Sequence, residues 1–454
     1  MRARVLQIEW HENAAPIYSA HFNPRSNLLA TGSQDLRVLL WRIVDHETIT
    51  HIATLEEHTA TVNCVRWSPC GTRLATGTDG GETYGAQLFV WACEPSTRIW
   101  RPVQRFVAPR DIYDLAWSPD AKQIVAAGTD GHVRVFEMAH GGMVNDWPLH
   151  SSYIQGVAWD PQNELIASLS MDRTLAVRPL DRSGKAVQRV KTFDISSLSG
   201  QDSRRSTGPE SSDPHKPQNT GDTPAAATAD ANNLTADANN PTDQTKTNPG
   251  SLPSSTPTPP LMGSFVSDTS TNYFRRLAFT ADGALLICPA AQIPIGNQDV
   301  PCSLLFTRQS LGIGSPSQVL LAGGTEPTIA VACSPLKYKW DGPRIFDVEY
   351  AYLYAVVTKF TLTIYCSHLR QPLAVISDLH VASFTDISWA PDGKSIILSS
   401  MEGFCSLVEF DEEELLTPLN PPELETVLGI AQSQPEQAPE PPKINVLAPR
   451  RKKQ

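Results

Sequence analysis

The chain has 454 residues and a net charge of −11, with 37 Lys and Arg against 48 Asp and Glu. That balance argues against a surface built to grip DNA phosphates, so direct sequence-specific DNA binding is not expected. Hydrophobic residues make up 41%, enough for a sizeable core, and no run of about 18 apolar residues is present to cross a membrane.

The length suits one large β domain with tails, or two or three ordinary domains. Met1-Arg2-Ala3-Arg4 leads into a strand-like segment and not into an apolar signal core, so secretion is not expected. Cys64, Cys70, Cys93, Cys288, Cys302, Cys333, Cys366 and Cys405 form no Cys-x-x-Cys. They read as buried free thiols in a reducing compartment, with no metal site and no cofactor.

In chain order, Val5 to Trp10 alternates like a strand. Ile17 to Ile43 follows, with apolar runs at Ile17-Tyr-Ser-Ala-His-Phe22, Leu28-Leu-Ala30 and Val38-Leu-Leu-Trp41 separated by Asn-Pro and Gln-Asp breaks. The same triple recurs from Val62 to Cys93, from Ile112 to Met138 and from Ile154 to Leu180. Short β-branched and aromatic runs bounded by Pro, Asp and Gly are strands joined by tight turns. One such meander has two apolar faces and needs copies of itself on either side.

The aromatic before the first turn falls at Phe22, Trp67, Trp117 and Trp159, at intervals of 45, 50 and 42 residues. A WD40 blade of four strands repeats about every 40–45 residues. Blades one to four are placed at Pro16–Leu55, His58–Val107, Asp111–Leu149 and His150–Ile195. The second has an expanded turn, Asp79–Gly85.

From Phe193 to Phe265 no aromatic intervenes, and Pro, Ser, Thr, Asp, Asn and Ala dominate. Ser196 to Met262 is expected to be a disordered insertion, because it cannot bury enough apolar surface to offset its ordering entropy. Thr223, Thr256 and Thr258 each precede Pro there; proline-directed phosphorylation and chance both account for them. The pattern resumes at Tyr273–Gly283 with Phe279, then at Thr328–Pro335, and finally at Phe384–Phe410 with Trp389. The count is seven blades: an all-β, seven-bladed propeller over 1–195 and 263–410, with a disordered tail over 411–454. The strand Val5–Trp10 is expected beside Cys405–Phe410, closing the last sheet and removing the ring's free edge.

Asp35 and Trp41 fit the Asp and Trp of the repeat, as does Trp91 in the second blade, and His58 and His150 stand just before the second and fourth blades. A catalytic or metal role for these histidines is weighed against a structural hydrogen-bond relay, and the relay is the better reading. Phe136 replaces the repeat Trp in blade three, and Arg178 stands near that position in blade four. No Gly-x-Ser-x-Gly, phosphate loop or His-Glu-x-x-His occurs, so no catalytic residue is assigned. Arg275-Arg276 reads as a solvated or stacked surface pair, with a partner contact as the alternative. Asp411, Glu412, Glu413 and Glu414 read as a solvated run or as a contact for a basic partner. Arg450, Arg451, Lys452 and Lys453 read as a partner-binding or nuclear-import element.

Ile8-Glu-Trp-His11 with Pro16-Ile-Tyr-Ser19, Ser152–Pro161, Tyr273–Phe279 with Asp282-Gly283, and Phe384–Trp389 with Asp392-Gly393 are more particular than a generic repeat. They resemble the family of the WD40 middle subunit of chromatin assembly factor 1, from Val5 to about Phe410 outside the insertion. The resemblance implies a non-enzymatic nuclear subunit of a histone chaperone acting in DNA replication and repair. It implies as partners the large and small subunits of that factor and the histone three–histone four dimer. The family tail also carries a basic–Arg–Ile-x-Pro element for the anti-silencing factor chaperone. Here Arg450–Lys453 supplies only the basic part. A WD40 adaptor of another nuclear complex, a replication-independent histone chaperone or a ubiquitin ligase, is the alternative, and a propeller enzyme the more distant rival.

Overall fold

Seven innermost strands carry the repeat: Ile17–Phe22, Val62–Trp67, Ile112–Trp117, Ile154–Trp159, Ala278–Phe279, Ala330–Cys333 and Phe384–Trp389. They are taken from a computed structural model, which describes residues 1–44, 48–81, 85–180, 188–194, 262–266, 273–321, 326–411 and 414–419. After most of these strands the chain makes the same tight turn and returns antiparallel. Phe22 lies opposite Leu29, Trp67 opposite Leu74, Trp117 opposite Ile124, Trp159 opposite Ile166, Phe279 opposite Leu286 and Trp389 opposite Ile396. On the next strand the same rung continues to Trp41, Trp91, Phe136, Arg178, Phe306 and Val408.

Each sheet is apolar on both faces and is covered by its neighbours. Between blades one and two, Val38, Leu40, Val62, Val65, Trp67, Phe89 and Trp91 are all buried. Between blades seven and one the packing is Leu6, Trp10, Ile17, Phe22, Trp41, Ile397 and Leu407. Each such large side chain contributes about 1.5–3 kcal/mol when it leaves water, so the seams hold the ring.

Polar contacts between inner strands run around the axis. Ser19 Oγ donates to Asp386 at 2.7 Å and accepts from the Val65 amide at 3.1 Å, tying blade one to blades seven and two. Asn63 donates to the Ile112 carbonyl, the Val157 amide to Asp114, and the Arg275 amide to the Gln155 carbonyl. Arg276 donates to the Ile329 carbonyl, and Trp389 Nε1 to the Ala332 carbonyl. These bonds link every neighbouring pair of blades.

The ring closes through the N-terminal strand, in a different register from the expected one. Arg2–Leu6, not Val5–Trp10, pairs antiparallel with Cys405–Glu409, with Leu6 opposite Cys405. The alternation in sequence continues past Leu6, but the backbone does not: the Ile8 amide bonds back to the Leu6 carbonyl. Trp10 is thereby turned into the core, where its Nε1 donates to the same carbonyl at 3.0 Å and its ring meets Trp41 edge-on at 4.8 Å.

Three other boundaries differ from expectation. Blade four ends with Gln188–Val190, and Thr192–Asp194 crosses to the next sheet, where it pairs with Met262–Phe265. Met262 therefore begins a strand and is not the end of an insertion; residues 196–261, on which the rest of that expectation falls, lie outside the described residues. The fifth blade's second strand, Leu285–Ile295, is far longer than the two-residue Ala278–Phe279 beside it, and Met262–Phe265 fills the remaining ladder edge. In blade two, Arg73–Gly81 and Gly85–Cys93 extend the hairpin into the expected loop.

Beyond blade seven the chain runs alongside an excursion of blade six. There the first two strands are joined by a long excursion whose Tyr338–Lys339 pairs with Tyr350–Ala351. The Lys339 amide donates to Thr417, and the Leu419 amide to Lys337. Residues 420–454, where the tail was expected to be disordered, lie outside the described residues. The cysteines are free, but not all are buried as expected: Cys93 and Cys333 are half-buried and Cys70 is exposed. Partial burial works to raise the Cys70 thiol, but hydrogen bonds with Ser68 and Thr72 bring it down to about 7.

Candidate functional site

Turn relays hold the start of several inner strands. In blade one, Trp41 Nε1 and His11 Nε2 both meet the Thr31 hydroxyl, at 3.1 and 2.9 Å, while His11 Nδ1 lies 3.0 Å from Asp35. The amides of Glu12 and Arg37 also donate to Asp35. Burial works to raise the Asp35 carboxyl, but the bonds from His11 and these amides more than offset it and hold it below the usual range. Blade four repeats the set, with His150 between Ser168 and Asp172. Asp172 lies well below the usual range, because His150, Thr174 and the Ser151 amide overcome the cost of burial.

Blade two keeps His58 and Trp91 on the Thr76 hydroxyl, at 2.7 and 2.9 Å, but Gln87 stands where the carboxylate would be and accepts the Thr59 amide. Burial, with no anion beside it, lowers His58 to about 4. Blade seven uses His380 with Glu402 and Ser406. His11 and His380 were not singled out from sequence. Their signal was the interval to the turn acid: 24 residues for His11–Asp35 and 22 for both His150–Asp172 and His380–Glu402.

The ring axis holds four charged side chains in a cavity of about 390 Å³. Arg66 lies 3.2 Å from Asp114 and 2.9 Å from Asp386; Arg276 lies 3.7 and 3.1 Å from the same two. Arg276 also donates to the carbonyls of Tyr18, Asn63 and Thr385, and stacks under the Phe274 ring at 3.9 Å. Two cations and two anions cancel. Burial works to raise Asp386, yet Arg276, Arg66 and Ser19 hold it below its usual value. His21, on the same cavity, is driven down to about 3 by burial and by Arg66, and its neutral ring accepts the Trp67 amide.

This overturns the surface reading of Arg275-Arg276. Arg275 is 1% and Arg276 3% exposed, and Arg275 donates to the Ser170 carbonyl. Neither is placed to meet a partner, because the stretch leading into Ala278–Phe279 buries both side chains. Asp411 and Glu414 are exposed, but both contact the Met1 ammonium. Glu412, Glu413 and Arg450, Arg451, Lys452 and Lys453 lie outside the described residues.

Above the axial charges lies an aromatic mouth that sequence reasoning missed. The Phe274 ring is 6.1 Å from Tyr18, 6.3 Å from Tyr113 and 6.5 Å from Tyr273, and Tyr113 is 6.4 Å from Tyr153. Tyr153 and Tyr273 are 46% and 58% exposed. Asp79 and Asp111 border it: Asp79 accepts Asn63 at 2.5 Å, and Asp111 accepts the Gly80 amide at 2.8 Å. Burial, with Asp111 and Asp79 nearby, pushes the Tyr113 phenol up to about 12. The available signal was an aromatic at the start of several inner strands: Tyr18, Tyr113, Tyr153 and Tyr273.

With this geometry in view, the chain compares with known proteins as follows. Residues 1–208 and 228–415 match the family model described as the CAF1B/HIR1 beta-propeller domain. The chain is 30% identical to a chromatin assembly factor 1 subunit of Schizosaccharomyces pombe over 91% of its own length and 88% of that protein. It is 29% identical to the chromatin assembly factor 1 subunit FAS2 homolog of Oryza sativa, over 92% of this chain and 75% of the relative. Protein HIR1 of Phaeosphaeria nodorum is 25% identical over 91% of this chain, which spans 34% of that larger protein.

Proposed function

This chain belongs to the CAF1B/HIR1 β-propeller family, and from that premise we propose that it is a non-catalytic scaffold subunit of a nuclear histone chaperone. In this reading the complex deposits histone three–histone four dimers on DNA during replication and repair. The ring docks on the large subunit of chromatin assembly factor 1, next to the small one, and helps hold the histone dimer. The basic run Arg450–Lys453 serves a partner such as the anti-silencing factor chaperone, or an import receptor.

The observation that carries the reading is the family match over residues 1–208 and 228–415, together with 29–30% identity to proteins named for chromatin assembly factor 1 over more than nine-tenths of the chain. The ionisable groups described above favour scaffolding: the relays hold turns and the axial quartet is charge-balanced. The likeness to protein HIR1 favours a second reading, membership of a replication-independent chaperone.

Affinity purification of the tagged full chain, followed by mass spectrometry, separates these. Recovery of the large chromatin assembly subunit with histones three and four is the expected result. Recovery of ubiquitin-ligase components, or of a replication-independent chaperone without the large subunit, overturns the reading.

A further inference from the structure

The axial quartet is neutral, but the mouth above it is not. Asp79 and Asp111 add two carboxylates, while Arg110, beside Asp111, is exposed and forms no ion pair among the described residues. Asp79 lies close to Tyr18 and Tyr113, and Asp111 to Tyr113, with Tyr153 and Tyr273 next in the aromatic set; among the described residues none of the hydroxyls of Tyr18, Tyr113, Tyr153 and Tyr273 has a hydrogen-bond partner. Aromatic faces with adjoining carboxylates and open hydroxyls are the chemistry that recognises a cation on an apolar stem.

We propose that this mouth receives a single lysine or arginine side chain, presented by an extended basic segment of a partner protein. The stem lies against Tyr153 and Tyr273, the exposed rings of the set. The charged head reaches the phenol hydroxyls and the two carboxylates. It stops there, because Arg276 already occupies the lower face of Phe274 at 3.9 Å and repels a second cation. An acidic segment meets Asp79 and Asp111 unfavourably, so charge selects the occupant. The identity of the partner as a histone rests on the proposed function; the chemistry of the mouth does not.

The test is fluorescence anisotropy on the full chain, using a labelled peptide of alternating glycine and lysine and a second peptide with glutamate in place of lysine. The lysine peptide binds at low salt, weakens as salt rises, and the glutamate peptide does not bind. Tyr153→Ala with Tyr273→Ala weakens binding about 3- to 30-fold, the range that loss of cation–π contacts gives. Both rings are exposed, so the melting temperature stays unchanged. Asp111→Asn keeps an acceptor for the Gly80 amide and weakens the peptide by removing charge alone. Equal affinity of wild type and these variants, or equal binding of the glutamate peptide, overturns the proposal. Replacing Arg450, Arg451, Lys452 and Lys453 by alanine leaves the affinity unchanged; tighter binding identifies the chain's own tail as the occupant and overturns the partner reading. Variants that lose the peptide but still recover the large subunit support the mouth separately from the scaffold role. Purification that recovers no such subunit defeats the scaffold role and leaves the peptide result standing.

Discussion

Arg276 Nη1 lies 3.1 Å from Asp386 Oδ2 on the ring axis, one from blade five and the other from blade seven. Asp386 also takes Arg66 and Ser19, so one carboxylate serves blades one, two, five and seven. Asp386→Ala leaves the buried Arg276 guanidinium and the partly exposed one of Arg66 facing Asp114 alone. Breaking a buried pair in this way costs about 3–5 kcal/mol. The check is chemical denaturation of wild type, Asp386→Ala and Asp386→Asn. Asn is the milder change, because its carbonyl still accepts from Ser19.

The Thr31 hydroxyl is shared by His11 and Trp41. Thr31→Val keeps the volume and strands both nitrogens in a buried site, at about 1–3 kcal/mol for each polar group left unmet. Thermal unfolding of Thr31→Val against Thr31→Ser measures it: Ser retains the hydroxyl and recovers most of the stability.

His58 sets a pH dependence. Its folded-state pKa is lowered from 6.5 to about 4, so the unfolded chain binds the extra proton first. The stability from its neutral form is fully present above pH 6.5 and is lost as pH falls from there toward 4. The size is on the order of 3 kcal/mol. Denaturation midpoints of wild type and His58→Gln between pH 7 and pH 4.5 test this; His58→Gln is the flatter of the two.

Gly156 sits where blade four passes blade five. A Cβ there would clash with the Arg275 carbonyl oxygen, against backbone that cannot swing aside. Gly156→Ala opens the seam and costs about 1–3 kcal/mol or more. Urea denaturation is the measurement, and Gly142→Ala, with open space at its Cβ, is the neutral control.

The blades were legible because most inner strands end in an aromatic seven positions before its partner on the returning strand, as with Trp117 and Ile124. A local repeat of that kind survives in one dimension. The N-terminal register was not legible, since Val5 to Trp10 alternates throughout, and the strand ends at Leu6 where the Ile8 amide turns back onto the Leu6 carbonyl and Trp10 packs on Trp41. Arg275-Arg276 looked like a surface pair for a related reason. Their partners, Ser170, Asn63, Asp114 and Asp386, come from four other blades and meet them only once the ring is closed. The aromatic mouth is likewise a property of closure: Tyr18, Tyr113, Tyr153 and Tyr273 are far apart in sequence and read singly as ordinary strand residues.

The most direct test of the scaffold account is the deposition of newly made histone three on replicated DNA in cells whose own copy of this chain is rapidly depleted. The account predicts that nascent histone on replicated DNA falls on depletion and returns when the full chain is restored. Undiminished deposition after complete depletion would contradict it.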